Sequence, residues 1–234
     1  MLAALRARQR RFQVILLRHD AHAEKVQDVI DLAGQLAVPI RRVAAQELDA
    51  VAHGATHGGV LAIASEKPRT TPDQLMHLLD ALSEPPLLLL LEGVDDARNL
   101  GFTLRSADAL GVHAVLIKKH LWDFDATEVA RPASGAYERL PLVQLDDVDL
   151  LRDLQRRGLR LFGCIAGARR TIHEAPLAQA AVLAVGGEKR GLSGAVRNLC
   201  DAFLTIPTRK NASLSMSHAA AILLAEAARQ RGIC

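Results

Sequence analysis

Aromatic side chains make up only 3% of the 234 residues, with a single Trp122 and a single Tyr137. A surface that captures bases on a row of aromatic platforms is therefore not expected, and the core has to come from aliphatic side chains. Cysteine is as sparse. Cys164, Cys200 and Cys234 are odd in number and far apart, which suits neither a disulfide framework nor a zinc site and fits a reducing cytoplasm. No run approaches the roughly 20 apolar residues of a membrane span, and no apolar stretch follows the first arginines, so neither a span nor a secretory leader is expected. The histidines show no ligand pairing on a helix face, and no metal is expected. The Gly-Lys-Ser/Thr phosphate loop and the dinucleotide fingerprint are missing, which disfavours a dinucleotide-dependent enzyme. No Ser-His-Asp grouping has supporting context.

What is present is an aliphatic chain of near-balanced charge, net +3 with pI near 9.0. That permits nucleic-acid binding without requiring it, so the placement of charge matters more than its sum. Arg6, Arg8, Arg10 and Arg11 read as a phosphate-seeking arm or as a solvated terminus. The length allows one large domain or two small ones.

Phe12 to Leu17 has strand character, Ala23 to Leu36 a helical period, Ala45 to Val51 a short helix, and Val60 to Ala64 returns to strand. The expected layout is a small α/β unit over residues 1–68, a proline-bearing linker over 69–85 that includes a short helix, and a larger unit over 86–234. In the larger unit Leu87 to Leu91 is a strand buried on both faces. A polar turn follows, then a helix with Leu100, Leu104 and Ala107 on one side, then a strand at Val112 to Ile117. Asp146 to Arg157 is an amphipathic helix ended by Gly158. Leu159 to Ile165, Ala181 to Val185 and Leu204 to Pro207 are further strands, and Ser217 to Arg231 is a closing helix. Strands alternating with helices predict a mainly parallel sheet.

Three segments carry candidate chemistry. In Asn99-Leu100-Gly101-Phe102-Thr103-Leu104-Arg105, Gly101 permits close approach of a ligand or a neighbouring strand. Asn99 is either a helix cap or a ligand contact. Arg105 is either a bidentate phosphate clamp or the partner of Asp108 or Asp95. Gly186-Gly187-Glu188-Lys189-Arg190-Gly191 follows a strand and could cradle an anion or an adenosyl group with backbone N–H donors. The third, Ile206 to His218, leads into the closing helix. Its Ser213, Ser215 and Ser217 are all potential caps, and His218 reads as structural.

Taken together, the three segments resemble the SpoU (TrmH-like) family of SPOUT methyltransferases over residues 86–231. Asn99, Gly101 and Arg105 match the family's first motif, Gly186, Glu188 and Gly191 the second, and Ile206, Pro207, Ser213 and Leu214 the third. Ser215 stands where the family has Asn, keeping a hydroxyl but losing reach, and Thr208-Arg209-Lys210 replaces a Met-x-Gly segment. The first 68 residues are similar to the L30e-like domain of rRNA-modifying members, with His57-Gly58-Gly59-Val60 at its His-x-Gly turn. The resemblance implies a trefoil-knotted, mainly parallel sheet and S-adenosylmethionine-dependent methyl transfer to a ribose 2′-hydroxyl of RNA, with 23S-type rRNA the first expectation and tRNA the second. It implies a cytoplasmic homodimer without metal or membrane. Gly186, Gly187, Ile206, Leu214 and Ser215 would hold the cofactor. Arg105, Asn99, Glu188, Ser213 and Ser215 would act in catalysis, and Arg105, Arg209, Lys210 and His57 would meet RNA. The alternative is an RNA-binding relative that has lost catalysis, which Ser215 would allow.

Overall fold

A computed structural model describes residues 1–52, 57–118, 123–209 and 214–233. The chain divides into two compact units, residues 1–68 and 69–234.

The first unit holds α1 (Leu2–Ala7), β1 (Phe12–Arg18), α2 (Ala23–Gln35), β2 (Ile40–Val43), α3 (Ala45–Ala52) and β3 (Val60–Ala64). Its sheet runs β2-β1-β3, with β2 parallel and β3 antiparallel to β1. The period of two along β1 sorts the core. Ile15 and Leu17 pack with Leu5, Val26, Val29 and Ala33, whereas Leu16 turns to the other face with Val43 and Leu48. The arginine-bearing start is neither a free arm nor a solvated tail, because α1 buries Ala4 and Leu5.

The second unit holds α4 (Pro72–Asp80), β4 (Leu87–Leu91), α5 (Ala97–Ala109), β5 (Ala114–Lys118), α6 (Ala126–Ala130), α7 (Ala136–Arg139), β6 (Leu142–Leu145) and α8 (Asp149–Arg156). Then come β7 (Arg160–Cys164), β8 (Arg170–Thr171), a 3₁₀ turn (Ile172–Glu174), β9 (Ala181–Val185), α9 (Gly194–Arg197), β10 (Ala202–Thr205) and α10 (Met216–Gln230). The seven strands are parallel, in the order β6-β5-β4-β9-β7-β10-β8.

All five leucines of β4 are fully buried, because both faces of the sheet are covered. Leu87, Leu89 and Leu91 share a core with Leu100 and Leu104 of α5 and Leu223 and Leu224 of α10. Leu88 and Leu90 pack on the opposite face with Leu75 and Leu79 of α4 and Leu151 and Leu154 of α8. The stretch 69–85, expected as a linker, is thus built into the second unit. Thr71 caps α4 in a reciprocal box with Gln74, and Thr70 bridges to Val143 of β6. At the far end, the Arg231 guanidinium donates to the carbonyls of Pro85 (2.5 Å), Pro86 (3.2 Å), Leu177 (2.9 Å) and Gln179 (2.6 Å). It ties the end of α10 to the start of β4.

Candidate active site

The direction of travel through the sheet reverses between β4 and β9. From β4 the chain moves to β5 and β6 on one side; β9, β7, β10 and β8 fill the other. In open parallel sheets such a reversal leaves a crevice at the carboxyl ends of the strands, where the two departing loops part and ligands bind. A cavity of about 240 Å³ lies there, lined among the described residues by Gly93, Asp95, Asp96 and Asn99 after β4, by Glu188 and Lys189 after β9, and by Met216 at the start of α10.

The loops cross with almost no room for side chains. A Cβ on Gly187 would sit 1.9 Å from the carbonyl oxygen of Gly93, and one on Gly186 would sit 2.2 Å from the carbonyl carbon of Gly191. Gly191 closes the turn by donating its N–H to Gly187 O at 2.8 Å. Glu188, flanked by these glycines, reaches across the cavity, where its Oε1 accepts from Met216 N at 3.4 Å. Lys189 crosses to Asp95 at 3.1 Å.

The loop is anchored from below by a residue that motif spacing did not reveal. Glu92, the first residue after β4, is buried with its side chain 6% exposed and 3.2 Å from Lys118 Nζ at the end of β5. Its carboxylate accepts from Ser193 N at 2.8 Å and Ser193 Oγ at 2.9 Å. One carboxylate thereby joins β4, β5 and the end of the glycine loop. A charge at the end of each of two adjacent all-apolar strands was the available signal.

Helix α5 is capped by Asp96, not Asn99. Asp96 Oδ1 accepts from Arg98 N at 2.7 Å and Asn99 N at 3.3 Å. Arg98, through its side chain and then its amide, holds the Asp96 carboxyl below the ordinary range. This releases the Asn99 side chain, which is half-buried and lines the cavity. Gly101 serves a helix contact, neither a ligand nor a strand: a Cβ there would lie 2.4 Å from Val129 O and 2.4 Å from Pro132 Cγ.

Arg105 is exposed on α5. The two acceptors that could have claimed it are taken, Asp108 by Arg139 with 2.6 and 3.0 Å contacts and Asp95 by Lys189. Ile206 packs at the edge of the core shared with α5 and α10, Leu214 is half-buried, and Arg209 is exposed. Ser213 and Lys210 lie outside the described residues. His57, in the first unit, spends both ring nitrogens locally: Nε2 is 2.8 Å from Asp49 Oδ1, and Nδ1 accepts from Gly59 N at 3.0 Å. That fixes a turn and leaves no free nitrogen for RNA.

The cavity fits a nucleoside cofactor that carries positive charge. Its wall presents Asp95, Asp96 and Glu188, of which Asp95 pairs with Lys189 and Asp96 with Arg98, so the net negative charge rests on Glu188. The glycine loop leaves backbone groups where side chains would block the crossing.

A parallel-sheet ligand-binding protein with its crevice between the β4 and β9 loops is the class that this arrangement defines. A family model described as "SpoU rRNA Methylase family" matches residues 86–225, and one described as "RNA 2'-O ribose methyltransferase substrate binding" matches residues 1–70. The chain belongs to the SpoU rRNA methylase family. It is 36% identical over 234 residues to the 23S rRNA (guanosine-2'-O-)-methyltransferase RlmB of Pseudomonas aeruginosa, covering 98% of this chain and 93% of that protein. With the protein of the same name from Ralstonia nicotianae the identity is 34%, over 93% and 92% of the two chains. Among solved structures, the SpoU methyltransferase AviRb of Streptomyces viridochromogenes in complex with AdoMet superposes with a TM-score of 0.80 at 25% identity, covering 99% of this chain and 87% of that one. The fold is that of the SPOUT methyltransferases, as the resemblance implied. The chain is an RNA (ribose-2′-O-)methyltransferase that uses S-adenosylmethionine.

Proposed function

We propose that the chain methylates the ribose 2′-hydroxyl of a nucleotide in 23S-type rRNA. The observation that carries this is the meeting of Asn99 and Glu188, from two separate motifs, on one acidic cavity at the point where the sheet reverses direction. The substrate assignment rests on the relatives, which carry 23S rRNA in their names. When bound, S-adenosylmethionine supplies an electrophilic methyl group on a sulfonium. Gly186, Gly187, Ile206 and Leu214 hold it chiefly through backbone groups, and Ser215 holds the end of the third loop.

Asn99 and Glu188 orient the ribose from opposite walls, and Ser213 takes part in the same step. Arg105 presents a planar guanidinium fork, a geometry that matches a phosphate bidentately. Its role is to clamp the phosphate next to the target ribose and align the hydroxyl, which for a methyl transfer is most of the catalytic task. Arg209 and Lys210 contact the flanking phosphates. Two copies pair through α5 and α10, which pack side by side and expose Phe102 (49%) and Ile222 (40%); sedimentation giving a monomer at micromolar concentration would remove this part.

The test is radiolabelled methyl transfer to 23S rRNA and tRNA transcripts by the unaltered chain and by Arg105→Ala. Incorporation into 23S rRNA, reduced at least about 100-fold by the substitution, is expected. Equal incorporation by both proteins removes Arg105 from the mechanism, and labelling of tRNA alone reassigns the substrate. Calorimetry that finds no S-adenosylmethionine binding leaves the RNA-binding relative without catalysis.

A further inference from the structure

The third segment ends in a small hydrogen-bonded cluster that its separate residues did not suggest. Ser215 caps α10, its Oγ accepting from His218 N at 3.5 Å. The same Oγ lies 2.5 Å from His218 Nδ1 and 3.2 Å from Ser217 Oγ. A hydroxyl has one proton and two lone pairs, and these three neighbours use all of them. Ser215 is thereby held in one rotamer, where a solvated serine samples several. The next residue, Met216, forms part of the cavity wall and bonds to Glu188 through its N–H. The rotamer of Ser215 is set one residue away from the site.

The motif places an asparagine at this position, whose amide reaches further and offers both a donor and an acceptor. A serine alone supplies neither the reach nor the second group. His218, one turn along and exposed, provides a second polar group, its ring nitrogen braced against the hydroxyl. We infer that His218 is a positioning residue of the methyl-transfer site, and that Ser215 and His218 act as a two-residue replacement for that asparagine. The inference rests on the functional reading above and extends it: the cap that ends the third loop is held by a side chain from the helix, so the cofactor-facing backbone at Leu214 and Ser215 keeps its shape.

The experiment is calorimetric titration with S-adenosylmethionine, together with methyl-transfer KM and kcat, on the unaltered chain, His218→Ala, His218→Asn, Ser215→Asn and the double variant Ser215→Asn/His218→Ala. The loss of one such contact corresponds to about tenfold weaker cofactor binding in His218→Ala, seen in KM for the cofactor more than in kcat, with the melting midpoint little changed. His218→Asn, whose amide reaches Ser215 from the same turn, restores most of the affinity. The double variant matches Ser215→Asn alone, because an asparagine at 215 no longer needs the brace. Unchanged affinity in His218→Ala overturns the inference, as does a double variant that loses as much as His218→Ala. No cofactor binding by the unaltered chain overturns the functional reading and this inference with it.

Discussion

Removing the Glu92 carboxylate is expected to damage both the stability of the second unit and its hold on the cofactor. Glu92→Ala leaves Ser193 N–H and Oγ without their acceptor and Lys118 without its partner. A buried donor stranded in this way costs about 1–3 kcal/mol. Breaking a buried ion pair by removing one member costs about 3–5 kcal/mol, because the surviving charge is still out of water. Lys118 keeps 23% of its side chain exposed, so water recovers part of that penalty and the low end applies. A total of about 4–6 kcal/mol follows, a large share of the roughly 5–15 kcal/mol that holds a domain together. For a unit of this size that is a fall of about 8–24 °C in melting midpoint. The assay is a double-mutant cycle by thermal and urea unfolding over Glu92→Ala, Lys118→Met and the pair. The paired variant should lose less than the sum of the two by about 1–3 kcal/mol, since deleting both charges removes the stranded one. Additivity within about 0.5 kcal/mol would refute the claim that the two groups stabilise each other. In parallel, S-adenosylmethionine titration of Glu92→Ala at a temperature where it is folded should show weakened binding, because Ser193 anchors the glycine loop. Undiminished affinity would mean that the loop holds its shape without that anchor.

Other expectations follow from single contacts. Gly101→Ala gains about 1 kcal/mol of helix propensity but pushes a methyl to 2.4 Å from Val129 O and Pro132 Cγ. Overpacking costs typically about 1–3 kcal/mol, so the net change in denaturation midpoint is a loss; a gain would show that the contact relaxes freely. Gly187→Ala meets backbone at 1.9 Å, and is expected to abolish cofactor binding even where circular dichroism still reports a folded chain. Glu226, with a side chain 6% exposed, is held down to about 2 by the Arg229 guanidinium, then the Gln230 amide, with His173 a smaller contributor, against burial that raises it. A carboxyl lowered by folding contributes stability above its unfolded value, near 4.5, and loses it as pH falls toward 2. Wild type should therefore exceed Glu226→Gln by about 2 kcal/mol at pH 6, the gap closing between pH 4.5 and 2. A gap independent of pH in urea titrations would show that ionisation is not its source.

The strands that run through the middle of the sheet were legible because burial on both faces writes them as unbroken aliphatic runs, as in Leu87–Leu91 and Ala181–Val185. Edge elements were not. β8 is two residues long, and β6 rests on its pairing with β5, neither of which leaves a periodic trace. α1 was hidden because its six residues are too few to show a period, and the burial of Leu5 depends on α2. Motif spacing brought Asn99 and Glu188 forward, and both reach one cavity. The cap at Asp96 was displaced to Asn99 because either residue satisfies the local rule. The freedom of Arg105 could not be read at all, since it depends on Arg139 binding Asp108 from 31 residues away. Glu92 and Ser193 are 101 residues apart, and local patterns carry no information on such pairs.

The position of β4 has a consequence for synthesis. In the finished sheet it is interior, flanked by β5 and β9, but β9 does not exist until residue 185 has been made. Until then the leucine strand is the open margin of a half-built sheet, with unpaired backbone groups and apolar faces, and such margins recruit other chains. Arg231, the last clasp on the start of β4, arrives later still. Non-local closure of this kind is slow, so a growing chain would depend on the ribosome or a holding chaperone to keep that margin covered. Substitutions that leave the folded state untouched but slow the docking of β9 are expected to appear as insoluble product.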